Sequence, residues 1–218
     1  MVLFLVSAGP TREYIDDVRF LSNASSGRMG YALAQAALAL GHEVHLVTGP
    51  VGLVPPPGAA TTRVVSAREM GRALRQEAKE ADIVLMTAAV SDYRPARRLP
   101  GKLKKPPGPA GRRRLRLDLV ENTDILAGLG RRRGKRGQLV VGFALEARSL
   151  VVSGQAKLRA KAVDLVVANP VASMEGARTP LTLLHTDGKI ERWAAAAKEA
   201  AAERLVRLCL ALHQRGGA

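Results

Sequence analysis

A single cysteine, Cys209, in 218 residues leaves nothing for it to pair with inside the chain, so an intramolecular disulfide is excluded and a cysteine metal cluster is not supported. It lies within an apolar stripe of helical spacing and reads as a buried spectator. Aromatic residues make up only 3% of the chain, which leaves little to stack on nucleic-acid bases. No apolar run approaches the roughly 18 residues of a membrane span. Val2 to Val6 form an apolar opening, but no charged segment precedes them and no small-residue cleavage site follows. The expectation is a cytoplasmic protein with no membrane association. His42, His45, His185 and His213 are scattered, so no metal site can be read from ligand spacing. A GxGxxG fingerprint is missing, and the second predicted strand closes with Val47-Thr48-Gly49-Pro50, not with the acid that would hold an adenosine ribose. Both absences count against a dinucleotide-binding oxidoreductase.

Acidic residues are also scarce: 19 Asp and Glu stand against 34 Lys and Arg, a formal charge of +15. Such a balance implies an anionic partner or a strong demand for solubility. The charge is concentrated, with nine basic residues between Arg94 and Arg114 and five between Arg131 and Arg136. Since no nucleic-acid module is recognisable, a small polyphosphate ligand explains this clustering at least as well as DNA or RNA.

Apolar residues form 47% of the chain and mean hydropathy is near zero, as in an ordinary globular protein with one sizeable core. Short apolar runs at Val2–Ser7, Glu43–Val47, Asp82–Met86, Leu115–Leu119, Gln138–Phe143 and Asp164–Val167 read as strands. Between them fall helical patterns at Arg28–Leu40, Ala67–Glu80, Thr123–Leu129 and Ala147–Ala160, with a last one at Ala194–His213. This alternation predicts an α/β fold: a Rossmann-like, mainly parallel sheet with helices on both faces. A hairpin of Leu181–His185 with Ile190–Trp193 around Asp187-Gly188 precedes the last helix. The segment from Tyr93 to Arg114, with five prolines and three glycines, can be neither helix nor central strand and reads as a long loop. Loops of that length in compact domains are either functional lids or disordered insertions.

The first strand ends in Ser7-Ala8-Gly9-Pro10-Thr11-Arg12-Glu13, and the first clear helix opens at Asn23-Ala24-Ser25-Ser26-Gly27-Arg28-Met29-Gly30. A loop at a strand's carboxyl end and a Gly-containing helix N-terminus are where open α/β sheets bind phosphates, because free N–H groups and the helix dipole point there. Ser25, Ser26 and Gly27 could equally be a cap and tight turn with no ligand. The run Thr87-Ala88-Ala89-Val90-Ser91-Asp92-Tyr93-Arg94 follows the third long strand and would emerge at the same edge, bringing Asp92 towards the first loop.

Here the chain resembles the phosphopantothenoylcysteine synthetases. Ser7–Glu13, Arg19–Gly30, Ala88–Arg94, Lys102–Lys105, Asn122–Leu126, Val140–Ala144 and Lys157–Lys161 are similar to that family's motifs, in the family's order. The long pattern Arg19-Phe20 followed by Ser22-Asn23-x-Ser25-Ser26-Gly27-x-Met29-Gly30 is the most specific. The resemblance implies a single nucleotide-binding ligase domain over residues 1–218, with a flexible basic flap at about 93–114. It implies activation of 4′-phosphopantothenate by a nucleoside triphosphate, usually CTP in bacteria, to an acyl-cytidylate, and displacement of CMP by cysteine's amine. It further implies Mg²⁺ carried by the triphosphate with no direct protein ligands, no flavin in this chain, a homodimer, and a flavin-dependent decarboxylase as fused domain or partner.

Carried over residue by residue, the resemblance puts Asn23 at the reacting carboxylate, where it is both catalytic and substrate-binding, adds Ala88 and Ala89 to the substrate site, and makes Lys102 and Lys105 catalytic flap lysines. Gly9, Ser25, Ser26, Gly27, Asp92, Glu121, Asn122, Thr123, Asp124, Phe143, Lys157 and Lys161 fall at its nucleotide site. Several of these have plainer readings: Asn122 or Thr123 could simply cap the following helix, Phe143 could be strand core, and the lysines could be solvated. The sequence departs from the family at Leu145, at Thr123, and over Met174 to Pro180, where a polar Ser-Asp-x-Asn stretch is more usual.

Overall fold

The computed structural model describes residues 1–104, 115–146, 149–173 and 176–216. Its elements run β1 (Leu3–Ala8), β2 (Arg12–Tyr14), β3 (Phe20–Ser22), α1 (Arg28–Ala39), β4 (Glu43–Thr48), β5 (Ala60–Arg63), α2 (Ala67–Glu77), β6 (Ile83–Met86), β7 (Tyr93–Pro95), β8 (Leu119–Glu121), α3 (Ile125–Arg131), β9 (Leu139–Glu146), α4 (Leu150–Lys161), β10 (Leu165–Pro170), β11 (Arg178–His185), β12 (Ile190–Ala197) and α5 (Lys198–Gly216). Eight strands form one sheet in the order β12-β11-β10-β9-β6-β1-β4-β5. The six from β5 to β10 are parallel, and β11 and β12 add an antiparallel hairpin at one side. This is the α/β architecture that the alternation of patterns predicts.

The strand runs are apolar on both faces because helices cover both. Phe4 and Val6 of β1 point to one core, with Leu33 and Ala37 of α1 and Leu205 and Cys209 of α5. Leu5, between them, points to the other, with Met70 and Leu74 of α2, Leu126 of α3 and Leu158 of α4. The period of two along β1 thus divides its residues between two cores. Cys209 is fully buried, and burial pushes its thiol up to about 12, which keeps it protonated and inert.

Several predicted boundaries move, each for a local reason. Ala194 to Ala197 are strand, not helix: Ala196 and Ala197 pair with Thr179 and Arg178, and that pairing overrides alanine's strong helix propensity. The predicted strand at Leu115–Leu119 shifts to β8, which pairs with β7 in a separate two-stranded ribbon, so the long loop begins in regular structure. The capping box of Ser66 and Glu69 starts α2 where the pattern places it. Residues 147–148 of the predicted fourth helix lie outside the described residues.

The amino edge of the parallel sheet is cross-linked by polar side chains. Arg133 donates to the carbonyls of Gly130, Gln138 and Ala162 and grips Asp164, whose carboxylate also accepts Val140 N–H at 2.7 Å. Asp82 accepts Leu3 N–H at 2.8 Å and pairs with Lys135 at 2.7 Å. Burial raises the Asp82 pKa, but Lys135 and the Leu3 N–H outweigh it and hold the carboxyl below its ordinary value. Gln138 donates to the carbonyls of Ala78 and Ala81, both at 2.6 Å.

Candidate active site

At the opposite, carboxyl edge, the loops after β1 and β6 are stitched together. Ala89 N–H donates to Gly9 O at 2.9 Å and Thr11 N–H to Ala89 O at 3.2 Å, while Ser7 Oγ accepts Ala88 N–H at 3.1 Å. The N-terminus of α1 comes down onto this seam through glycine. Gly27 has φ 78°, and a Cβ on it would stand 3.4 Å from Gly9 Cα; a Cβ on Gly30 would meet Ala8 Cβ and Thr87 Oγ1, each at 2.6 Å. No side chain caps α1, whose N-cap is Gly27, and no acidic residue occupies its first turn. Its first N–H groups are therefore left for a ligand or solvent, where the helix dipole favours an anion.

This helix end opens into a cavity of about 450 Å³ lined by Asn23, Ser25, Ser26, Gly27, Ala88, Ala89, Asp92, Phe143 and Lys157, among others. A second cavity, of about 380 Å³, is lined by Glu121, Asn122, Thr123, Asp124 and Lys161. The two share Ala88, Val90, Asp92, Phe143 and Lys157 on their walls. The structure thus gathers residues from five of the seven sequence motifs along one edge of the sheet, in two adjoining chambers.

Individual side chains are set as follows. Asn23 is exposed; its amide donates to Ala89 O at 3.0 Å, which leaves one N–H and the carbonyl oxygen turned to the cavity's needs. Lys157 donates to Phe143 O at 2.6 Å. Lys161 is ion-paired with Asp124. Asp124, not Asn122 or Thr123, caps α3, accepting Ala127 N–H at 2.8 Å. Burial raises its pKa, yet the Ala127 N–H and Lys161 outweigh that and lower it. Asn122 is buried and committed to the scaffold: it donates to Ser91 O at 2.9 Å and accepts from Arg94 at 3.0 Å. Its place on the second wall is therefore that of a strut between the Ser91–Arg94 and Glu121–Asn122 segments.

Two expected residues fall elsewhere, and a third is not described. Gly9 lines neither cavity and instead lets Gly27 approach. Lys102 is exposed and lines neither cavity; its neighbours Gly101 and Leu103 donate to Asp17 at 2.8 Å and Asp16 at 3.0 Å, beside the β2–β3 turn. Lys105 lies outside the described residues.

The first cavity also takes Arg28, Asn169, Ser173, Thr179 and Lys198, none of which the motifs single out. Lys198 is 6% exposed, and burial, with the charge of Arg28, lowers its pKa against the pull of Glu199. A cation in the first turn of a helix opposes the dipole, and that misplaced charge is the signal available in the sequence. Asp92 is the one carboxylate among the described residues lining this cavity whose cations are Arg28, Lys157 and Lys198. The chamber is built for an anion. Among the described residues no three His, Cys, Asp or Glu side chains converge on a metal position. No helix among the described residues is long and apolar enough to cross a membrane.

Residues 2–212 match the DNA/pantothenate metabolism flavoprotein C-terminal domain family. The chain belongs to that family. It is 45% identical over 172 residues to the coenzyme A biosynthesis bifunctional protein CoaBC of Vibrio vulnificus, covering 79% of this chain and 42% of that protein. It is 45% identical over 168 residues to CoaBC of Bacillus subtilis, covering 77% of this chain and 40% of that one. The chain therefore aligns with less than half the length of these curated relatives. Among solved structures, the C-terminal domain of CoaBC superposes with a TM-score of 0.81 at 36% identity, covering 98% of this chain and 96% of that domain.

Proposed function

We propose that this family member is a phosphopantothenate–cysteine ligase of coenzyme A biosynthesis, using CTP. The observation that carries the proposal is the pair of adjoining chambers, one holding the uncapped N-terminus of α1 with Arg28, Lys157 and Lys198, the other lined by Glu121–Asp124. Support also comes from the identity to CoaBC and to its C-terminal domain.

In this reading a carboxylate oxygen of 4′-phosphopantothenate attacks the α-phosphorus of CTP, forming the acyl-cytidylate and releasing pyrophosphate. Cysteine's amine then attacks the acyl carbon, CMP leaves with the bonding electrons, and the amine gives up a proton. Both steps move negative charge between phosphate and carboxyl oxygens, so the protein's work is positioning and electrostatic stabilisation. The α1 N–H groups and the cavity lysines hold phosphate oxygens, and Asn23 holds the reacting carboxyl and donates its remaining N–H to the tetrahedral oxygen. Asp92, Phe143 and the 121–124 turn hold the nucleoside, and Lys102 and Lys105 belong to a flap over the reacting groups. Mg²⁺ bound to the triphosphate would offset phosphate charge. A homodimer, a cytoplasmic setting and a flavin-dependent decarboxylase as fused or separate partner belong to the same reading.

The test is pyrophosphate release by the purified chain with Mg²⁺ and CTP, or ATP in parallel, with phosphopantothenate and cysteine supplied together and singly. Release with CTP that requires phosphopantothenate, and CMP release that further requires cysteine, are expected. Release with ATP alone would overturn the nucleotide assignment. A folded chain inert with both nucleotides would overturn the ligase.

A further inference from the structure

A second concentration of charge lies beside the 121–125 turn and plays no part in the proposed reaction. Arg68, Arg72 and Arg75 are spaced on α2 so that they share one face. With Arg94 of β7 they line a cavity of about 260 Å³, completed by Gly71, Ile125 and the turn from Glu121. Like charges at this spacing destabilise a helix, and the acids of α2 are used elsewhere. Glu69 is committed to the N-terminal capping box and Glu77 faces His45 at 3.0 Å. Among the described residues Arg68, Arg72 and Arg75 have no hydrogen-bond or ion-pair partner, and Glu121 is the one carboxylate on the wall.

The floor of the cavity is a glycine in the helix interior. A Cβ on Gly71 would stand 3.1 Å from Arg75 Nη1 and 3.3 Å from Ile125 Cγ1, so the missing side chain is what lets Arg75 and Ile125 lie this close to the helix. Glycine there weakens α2, as does the arginine face. Two unfavourable choices in one helix both shape the same volume, one by letting Arg75 and Ile125 close on its floor and the other by charging it.

We propose that this pocket binds a small polyanion carrying two or more phosphate groups, at a site distinct from the reaction chambers. Guanidinium forks match phosphate oxygens in pairs, and Arg68, Arg72 and Arg75, beside an Arg94 whose Nη1 is committed to Glu121 O and Asn122 Oδ1, fit clustered phosphate charge. The confined floor suits a compact anion better than a nucleic-acid strand, which would need an open groove and aromatic platforms. Glu121, Asn122, Thr123 and Ile125 also line the second reaction chamber, so the ligand bears on the turn that holds the nucleoside in the proposed reaction. Binding itself does not depend on the ligase reading.

Isothermal titration calorimetry of the full chain with inorganic tripolyphosphate tests this, using wild type, Arg72→Gln/Arg75→Gln, Gly71→Ala and Lys157→Gln. The arginines are exposed, so the double variant keeps its fold. A binding event is expected that survives Lys157→Gln, weakens by about tenfold or more in the double variant, and weakens in Gly71→Ala, where every charge remains but the floor is filled. Unchanged affinity in the double variant would overturn the site. So would an event lost only in Lys157→Gln, which belongs to the reaction chamber, or wild-type affinity in Gly71→Ala, which means surface attraction without a pocket. An oligonucleotide whose binding falls in the double variant while tripolyphosphate binding does not would reassign the face to nucleic acid.

Discussion

Gly30 and Gly128 both lie inside helices, and replacing each by alanine separates backbone propensity from packing. Propensity alone favours alanine by about 1 kcal/mol at either position. At Gly128 a Cβ has nothing within 4 Å, so that gain should be realised. At Gly30 the Cβ meets Ala8 Cβ and Thr87 Oγ1, each at 2.6 Å, with Ala8 Cα at 3.1 Å. Neither neighbour can move cheaply: Ala8 is fully buried in β1, and Thr87 Oγ1 is hydrogen-bonded to Ser7 O. Overpacking of this kind costs about 1–3 kcal/mol, so a net destabilisation of up to about 2 kcal/mol remains after the propensity gain. At about 2–4 °C per kcal/mol for a chain of this size, Gly30→Ala should melt up to roughly 8 °C lower and Gly128→Ala roughly 2–4 °C higher. Differential scanning calorimetry reads both. Relief of the clash would lift the first turn of α1 from the seam, so Gly30→Ala should also slow pyrophosphate release, by up to about 100-fold for a misplacement of about 1 Å. A Gly30→Ala protein as stable as Gly128→Ala, with unimpaired turnover, would refute the claim that this close approach sets the chamber's geometry.

Three further outcomes follow from the site. Asn23→Ala removes an exposed side chain, so stability should change by less than about 0.5 kcal/mol; turnover should fall by roughly 100-fold or more, as on loss of one positioned donor. Lys102→Gln should impair turnover far more than thermal stability, because the side chain is exposed and contributes nothing to either core; normal turnover with unchanged affinity for both substrates would remove it from the mechanism. Lys161→Gln should cost about 0.5 kcal/mol at neutral pH, since the pair with Asp124 is partly exposed and screened. The folded carboxyl of Asp124 titrates below its unfolded value, so its contribution is complete above the unfolded pKa and disappears as pH falls through the folded one. Urea unfolding of wild type and variant should therefore converge in acid, and a gap that persists there would mean lost packing instead of a lost ion pair.

The parallel core was readable because burial on both faces writes itself as unbroken apolar runs: β1, β4, β6, β9 and β10 all sit where such runs occur. Short strands that are half exposed carry no such signature: β6 has only four residues but all are buried, whereas β2, β3, β5 and β7 are at least partly exposed at most positions and leave no apolar run. The alanines at Ala194–Ala197 defeated propensity because their strand pairing comes from residues sixteen or more positions away. At the site, the motifs identify the residues that line the two chambers, but they do not separate lining from bracing. Asn122 and Asp124 sit two residues apart; one is a buried strut and the other a helix cap paired with Lys161, and only the three-dimensional partners distinguish them. Lys198 was hidden for the converse reason, since its cavity is assembled from α1, β10 and the β11 region, far apart in sequence.

The Arg133, Asp82 and Gln138 lattice along the amino edge also divides the molecule by its resistance to local opening. Breaking it exposes several hydrogen-bonded groups at once, from β1, β6, β9 and β10 together, so the amides there should exchange with solvent only as the whole domain unfolds. The carboxyl edge is held by separate contacts between loops, some backbone and some through single side chains such as Ser7, Asn23 and Asn122, and by a helix end that no side chain caps. Fluctuation is thus channelled to the edge that must admit and release ligands, while the opposite edge holds the strands in register.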